Sequence, residues 1–485
     1  MEWLSASDYA WGRMILHRGV AAIFLVAFLC AALQFRGLLG SHGLLPIPRF
    51  LAVRSNRTHP SIFHWHYSDR FFAAVSWLGV CLSAALVAGL ADLVPPWGSV
   101  LLGLTLWALY LSIVNVGQTW YSFGWESLLL ETGFLVAFLG NEETSPPWLI
   151  LLLVRWLLFR VEFGAGMIKL RGDPCWRDLT CLDYHHETQP MPGPLSWFFH
   201  NLPRPLHRVE AAGNHITQLI VPFGLFAPQP IAGAAAAIMI VTQLWLVASG
   251  NFAWLNWLTI LLACSAIDDR GWSWILGSAP PTATAAQPTW FLALVVAVTA
   301  LVLVLSWRPA RNLVSSRQRM NSTFDPYHLV NAYGAFGSVS RTRDELVLEG
   351  TADERITAQT QWREYGFRGK PGDVRRLPRQ YSPYHLRLDW LMWFAALSPS
   401  YAMPWLGRLC VAMLTNDRQI LKLLADNPFP DEPPRHVRAV LYRYRFTTFD
   451  ELKRDRAWWR REPLGQYLAP LTLSEARLLS GSRWN

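Results

Sequence analysis

Nine apolar stretches punctuate the first 307 residues, at about 17–35, 71–90, 97–117, 120–140, 148–168, 215–229, 231–249, 252–267 and 289–307. A helix rises about 1.5 Å per residue, so about 20 apolar residues cover the hydrocarbon core of a bilayer. Composition agrees: 52% of residues are hydrophobic and 16% charged, against roughly 25% charged in soluble domains. The fold class expected is a polytopic α-helical membrane protein of about nine spans or re-entrant helices. The fourth stretch carries Glu126 and Glu131, and the sixth and eighth are short enough to be half-helices.

The first run follows His17 and Arg18 with no small-residue cleavage site after it, so it reads as a signal anchor. The net charge of +9 is spread over loops and the C-terminal third, with no lysine-rich block. That pattern suits contact with a lipid bilayer and excludes nucleic acid as a partner. Beyond Arg308 the apolar runs stop. Residues 1–307 are expected to form the bundle, including folded loops 36–70 and 169–214, and residues 308–485 a soluble, strand-rich α+β domain. NAYGAFGSVSRT, DELVLEGTAD, REYGFRGK and YRYRFTTF read as strands between turns. LDWLMWFAAL and the stretch from Trp405 to Leu424 read as helices with an apolar face.

The chemistry concentrates between Arg155 and Pro192. Arg155, Glu162 and Lys169 recur every seven residues, which returns nearly to the same angle and lines one helix face. Arg160 lies on the same helix. Glu126 and Glu131, about 140° apart on the preceding one, need separate partners if buried, and these cations are the obvious candidates. A charge at membrane depth costs roughly 2.5–3.5 kcal/mol, so such groups face partners or a wet cavity. Two readings stay open: an ion-pair stripe that only holds the bundle together, or an intrabundle polar site in which Lys169 is desolvated and reactive.

The loop after Lys169 carries Asp173, Asp178, Asp183, His185, His186 and Glu187. Without His-x3-His or Cys-x2-Cys spacing these read as hydrogen-bond anchors rather than metal ligands, and no metal or cofactor is expected. Cys175 and Cys181 share this polar loop and form a candidate disulfide if it faces an oxidising compartment. A redox role for the pair lacks the Cys-x-x-Cys pattern.

The strings YSFGWESLLLETGFL, KLRGDPCWRDLTCLDYHHETQPMPGPLSWFFH, VNAYGAFGS, EYGFRGKPGD and SPYHLRLDWLMWFAAL resemble those of the lipase maturation factors. The resemblance runs from the first span to near the C-terminus. It implies a membrane-anchored, chaperone-like factor for secreted lipases, in animals of the endoplasmic reticulum, with the client engaged through a lumenal C-terminal domain. In a bacterial source the corresponding site is the plasma (inner) membrane. FGAGMIKL followed by a Trp-containing loop is also distantly similar to vitamin K-dependent gamma-glutamyl carboxylase. That likeness places Lys169 where the carboxylase has its catalytic base and makes a membrane enzyme acting on a lipidic or quinone-like substrate the alternative. A carboxylate beside the lysine stabilises its ammonium form, which counts against a base.

Loop arginines collect on the side of the loops 36–70 and 169–214, which the positive-inside rule would make cytoplasmic. The family and the sequons Asn56-Arg57-Thr58 and Asn321-Ser322-Thr323, candidate glycosylation sites, point the other way. The expectation follows the family: that side is lumenal or extracytoplasmic.

Overall fold

The computed structural model describes residues 4–283 and 285–481. The bundle comprises α1 (Ala10–Leu38), α2 (Asp69–Val87), α3 (Pro96–Val116), α4 (Gly124–Val136), α5 (Trp148–Arg171), α6 (Leu182–Thr188), α7 (Ser196–His200), α8 (Arg204–Leu219), α9 (Ile231–Ser249), α10 (Leu255–Cys264), α11 (Thr289–Leu305) and α12 (Trp307–Val314). Among the described residues, five helical stretches are long and apolar enough to cross a membrane: Ser7–Leu38, Asp69–Val87, Pro96–Val116, Ile231–Ser249 and Thr289–Val314. Helices α4, α5, α8 and α10 pack among them. They are the shorter or charge-bearing segments; neighbours bury much of α4, α5 and α10, whereas α8 keeps Leu206, Val209 and Ile216 exposed.

Within lipid, helices associate by close contact rather than by the hydrophobic effect, so small residues matter. A Cβ on Gly79 would lie 2.3 Å from the Phe28 ring; glycine is what lets α2 close onto α1. At the end of α1 next to the C-terminal region, Phe35 and Phe63 sandwich Phe72, with ring centroids 4.6 and 5.0 Å away.

The C-terminal region is built on an antiparallel sheet in the order β4-β3-β5-β6, from β3 (Arg343–Thr351), β4 (Arg363–Glu364), β5 (His436–Phe446) and β6 (Trp459–Leu471). A short pair, β1 (Ser322–Thr323) and β2 (Asn331–Ala332), stands apart from it. Helix α13 (Arg387–Leu397) packs on β3, and α14 (Leu406–Leu414) packs against α16 (Leu473–Gly481); α15 (Phe449–Asp455) tops the β5–β6 connection.

Several sequence expectations need correction. NAYGAFGSVSRT contributes only Asn331 and Ala332 to a strand, because its polar groups turn into the bundle instead of pairing. REYGFRGK contributes only Arg363 and Glu364. Its glycine-rich end instead wraps Asp389, whose Oδ1 accepts from the backbone N–H of Gly369 at 2.6 Å and Lys370 at 3.2 Å. The helix expected through Leu424 breaks after Leu414: Asn416 is left-handed at φ 51°, and Asp417 caps a new turn through the N–H groups of Gln419 and Ile420.

The cut at residue 308 divides the chain but not its core. One apolar core runs from Leu16 on α1 through Trp120 to Trp405 and Leu409, and the Trp120 and Trp405 rings lie 5.6 Å apart.

Candidate functional site

Glu126 sits in the first turn of α4, where the helix N-terminus already favours a carboxylate. Its Oε1 accepts from Arg387 Nη1 at 2.6 Å, its Oε2 from the Tyr110 hydroxyl, and His385 Nδ1 lies 3.6 Å away. All four side chains are buried. Arg387 comes from the C-terminal region. It also donates to the Trp120 carbonyl at 2.6 Å and stacks 3.4 Å above the Tyr121 ring. Gln34 of α1 closes the arrangement, accepting from the Arg387 backbone N–H and donating to the His385 carbonyl.

Glu131, five residues further along α4, is held the same way by different residues. Arg160 pairs with Oε1, while Oε2 accepts from the Asn331 backbone N–H at 2.9 Å, Asn331 Nδ2 at 3.0 Å and the Tyr333 hydroxyl at 2.8 Å. Arg160 Nη1 returns a bond to the Asn331 carbonyl at 2.6 Å. The chain approaches α5 so closely here that a Cβ on Gly164 would lie 2.5 Å from the Tyr333 carbonyl oxygen. Two carboxylates on one short helix thus clasp two separate segments of the C-terminal region.

The six charged residues expected in one polar site are not brought together. Glu131 finds Arg160, one of the three cations expected, but Glu126 finds Arg387. Arg155 lies elsewhere, donating to the carbonyls of Ser265 and Leu225 and stacking on Tyr9 and Trp148. Glu162 accepts from Gln218 at 3.2 Å and Gln243 at 2.7 Å rather than from a cation. Lys169 donates to Asn214 at 2.6 Å and to Gln218 at 2.9 Å, with its ammonium 4.6 Å from the Trp176 ring. Gln218 bridges the two, accepting from the lysine and donating to the carboxylate. A cavity of about 30 Å³, room for about one water, is lined by His17, Phe24, Ser99, Leu106, Gly133 and Val136 and by none of these six residues.

In the loop beyond α5, Cys175 and Cys181 are joined by a disulfide. Asp173 accepts from Arg341 at 2.7 Å and from the N–H groups of Cys175 and Val339, and the Arg341 guanidinium holds its carboxyl at about 2. Asp173 lies near both sulfurs, but these are bonded to each other. Asp178 is exposed and its backbone N–H donates to the Pro174 carbonyl at 3.0 Å, while its carboxylate has no hydrogen-bond partner among the described residues. Asp183 accepts from His207 at 3.0 Å. Burial drives the His185 imidazole well below its usual range, packed against Phe336. His186 lies 3.6 Å from Glu210. Glu187 Oε2 accepts from the Phe446 N–H of β5 at 2.6 Å, and burial lifts its carboxyl to about 7. The loop therefore ties the bundle to the sheet. Asn56 lies exposed in the first loop, accepting from the Ser61 N–H, and Asn321 lies exposed before β1.

Arg387, Asn331, Tyr333, Gln218 and Gln243 carry no signal in the sequence that marks them as partners of these charges. A buried carboxylate demands donors, but nothing in the spacing says which distant segment supplies them.

This geometry defines a class: a polytopic membrane protein whose C-terminal α+β region is built into its helical bundle rather than tethered to it. The chain belongs to the lipase maturation factor family. The model of the lipase maturation factor transmembrane domain matches residues 11–274, and that of the C-terminal domain matches residues 329–469. The chain is 40% identical to lipase maturation factor 1 of Bos taurus, over 98% of this chain and 91% of the relative. It is 39% identical to the Homo sapiens protein of that name, over 96% and 88%. To Homo sapiens lipase maturation factor 2 the identity is 28%, over 96% and 83%. No solved structure matches the chain.

Proposed function

We propose that the chain is a membrane-anchored maturation factor that assists the folding and assembly of secreted lipases, and that its C-terminal region meets the client on the lumenal or extracytoplasmic side. The observation that carries this reading is the 40% identity across 98% of the chain to a lipase maturation factor. The clasped architecture supports it: a sheet fixed to the bundle offers a folding client a rigid platform, and holding exposed apolar surface slows aggregation of assembly intermediates. The disulfide supports the orientation, since such bonds persist in oxidising compartments, as do the exposed sequons Asn56 and Asn321.

Lys169 serves in this reading as a counter-charge. Its ammonium is satisfied by two amide oxygens and an indole face, so the enzyme alternative gains no support from its surroundings. Two measurements test the proposal. Expression in cells lacking their own maturation factor should restore secretion of active homodimeric lipase, and failure to do so would remove the client assignment. In a glycosylating host Asn56→Gln should abolish one mass step, and a wild-type chain without glycan would contradict the orientation.

A further inference from the structure

Helix α9 is a membrane span, and Val241, Leu244 and Trp245 near its C-terminal end are exposed on its lipid-facing side. That apolar belt does not stop at the helix. The Phe199 ring of α7 packs 4.8 Å from Trp245, and Ser196 Oγ of α7 donates to the Ser249 carbonyl at the end of α9 at 2.6 Å. On the other side of α7, Trp197 Nε1 donates to the Thr447 carbonyl at 2.7 Å, and its ring lies 4.6 Å from Phe449, the first residue of α15. Phe449 is 51% exposed, Phe198 44% and Leu195 46%. A polar capping box fixes α15 through Thr448 and Glu451, so its leading aromatic is held outward rather than tucked into the sheet.

Large apolar side chains held in water are unfavourable. Contiguous ones mark a partner surface. Two features select a lipid surface over a protein. The patch continues an aromatic belt already at the membrane boundary, where Trp and Phe favour the interface. Exposed cations stand on both neighbouring helices, Arg204 and Arg208 on α8 and Lys453 and Arg454 on α15, which suit lipid phosphates, with the exposed Asp450 beside Phe449 offsetting part of that charge. We infer that the tip of the β5–β6 connection, led by Phe449 together with Phe198 and Leu195, is seated in the headgroup region of the bilayer, so that the C-terminal sheet rests on the membrane at a second point besides its buried clasps.

The test uses the full chain in phosphatidylcholine nanodiscs, with Cys81→Ser removing the exposed native thiol and a nitroxide at Phe449→Cys. Relative accessibility to oxygen and to a water-soluble nickel chelate is compared with Val241→Cys in the span and Glu432→Cys on an exposed loop. Position 449 should favour oxygen, as position 241 does. A nickel-dominated response like that of position 432 would overturn the inference. So would a water-exposed probe that becomes immobilised only when an unfolded lipase is added, which would make the patch a client surface. Phe198→Cys repeats the measurement should the first variant fold poorly; it carries the same expected and contrary results.

Discussion

Arg387 Nη1 lies 2.6 Å from Glu126 Oε1, and neither side chain is exposed to solvent. One partner belongs to a helix of the bundle and the other to the C-terminal region, 261 residues away in sequence. The pair therefore carries an architectural relationship rather than a local one. Breaking a buried pair from one side strands a charge, which typically costs about 3–5 kcal/mol, whereas replacing both members with apolar groups is often nearly neutral.

Arg387→Met or Glu126→Leu alone should therefore lower thermal stability in detergent by about 3–5 kcal/mol and reduce cellular abundance. Glu126→Leu combined with Arg387→Met should lose markedly less than the sum of the single losses, because the two residues act as one unit. Additive losses would show that the two side chains do not depend on each other.

Lys169→Met keeps most of the side chain's volume but removes its charge and its bonds to Asn214 and Gln218. Losing charge-assisted hydrogen bonds should cost roughly 1.5–3 kcal/mol, visible as lower abundance, with secreted lipase activity per molecule of factor preserved. Normal abundance with lost activity would reinstate a chemical role for the lysine.

Of the six cysteines, Cys30, Cys81, Cys264 and Cys410 are free and Cys175 and Cys181 are bonded. Denatured but unreduced protein should thus take up four maleimide-polymer labels and reduced protein six. Cys175→Ser should destabilise the loop by about 2 kcal/mol, the chain-entropy value for so short a closed segment. Six labels without reductant would remove the bond and the support it lends to an oxidising compartment.

His328 donates from Nε2 to Asn115 Oδ1 and accepts at Nδ1 from the Ser127 hydroxyl, both at 3.1 Å, and burial lowers its imidazole to about 4. The unfolded chain binds this proton near pH 6.5 and the folded one does not, so the contribution is complete above about 6.5 and is lost as pH falls toward 4. Unfolding temperatures measured from pH 7.5 to 5 should fall for the wild type and fall less steeply for His328→Gln. Identical slopes would assign the acid sensitivity to other buried histidines.

The membrane bundle was legible because apolar length is imposed by the bilayer itself, whatever the partners. The Glu131–Arg160 pair was legible in part: the sequence offers Arg155, Arg160 and Lys169 as partners on the next helix without choosing among them. Arg387 and Asn331 were not, because a contact across 200 or more residues leaves no period in the sequence. NAYGAFGSVSRT misled for a related reason: its aromatic content reflects burial against α5, and strand propensity cannot distinguish that from pairing in a sheet.

In the proposed function, maturation needs the bundle and the C-terminal region held as one body. The most direct measurement is secretion of active lipase from cells lacking their own factor, normalised to factor abundance, for the whole chain, a chain ending at Val314, and the Glu126→Leu/Arg387→Met double variant. The whole chain should restore secretion, the truncated chain should fail, and the double variant should retain activity per molecule. Restoration by the truncated bundle would contradict the claim.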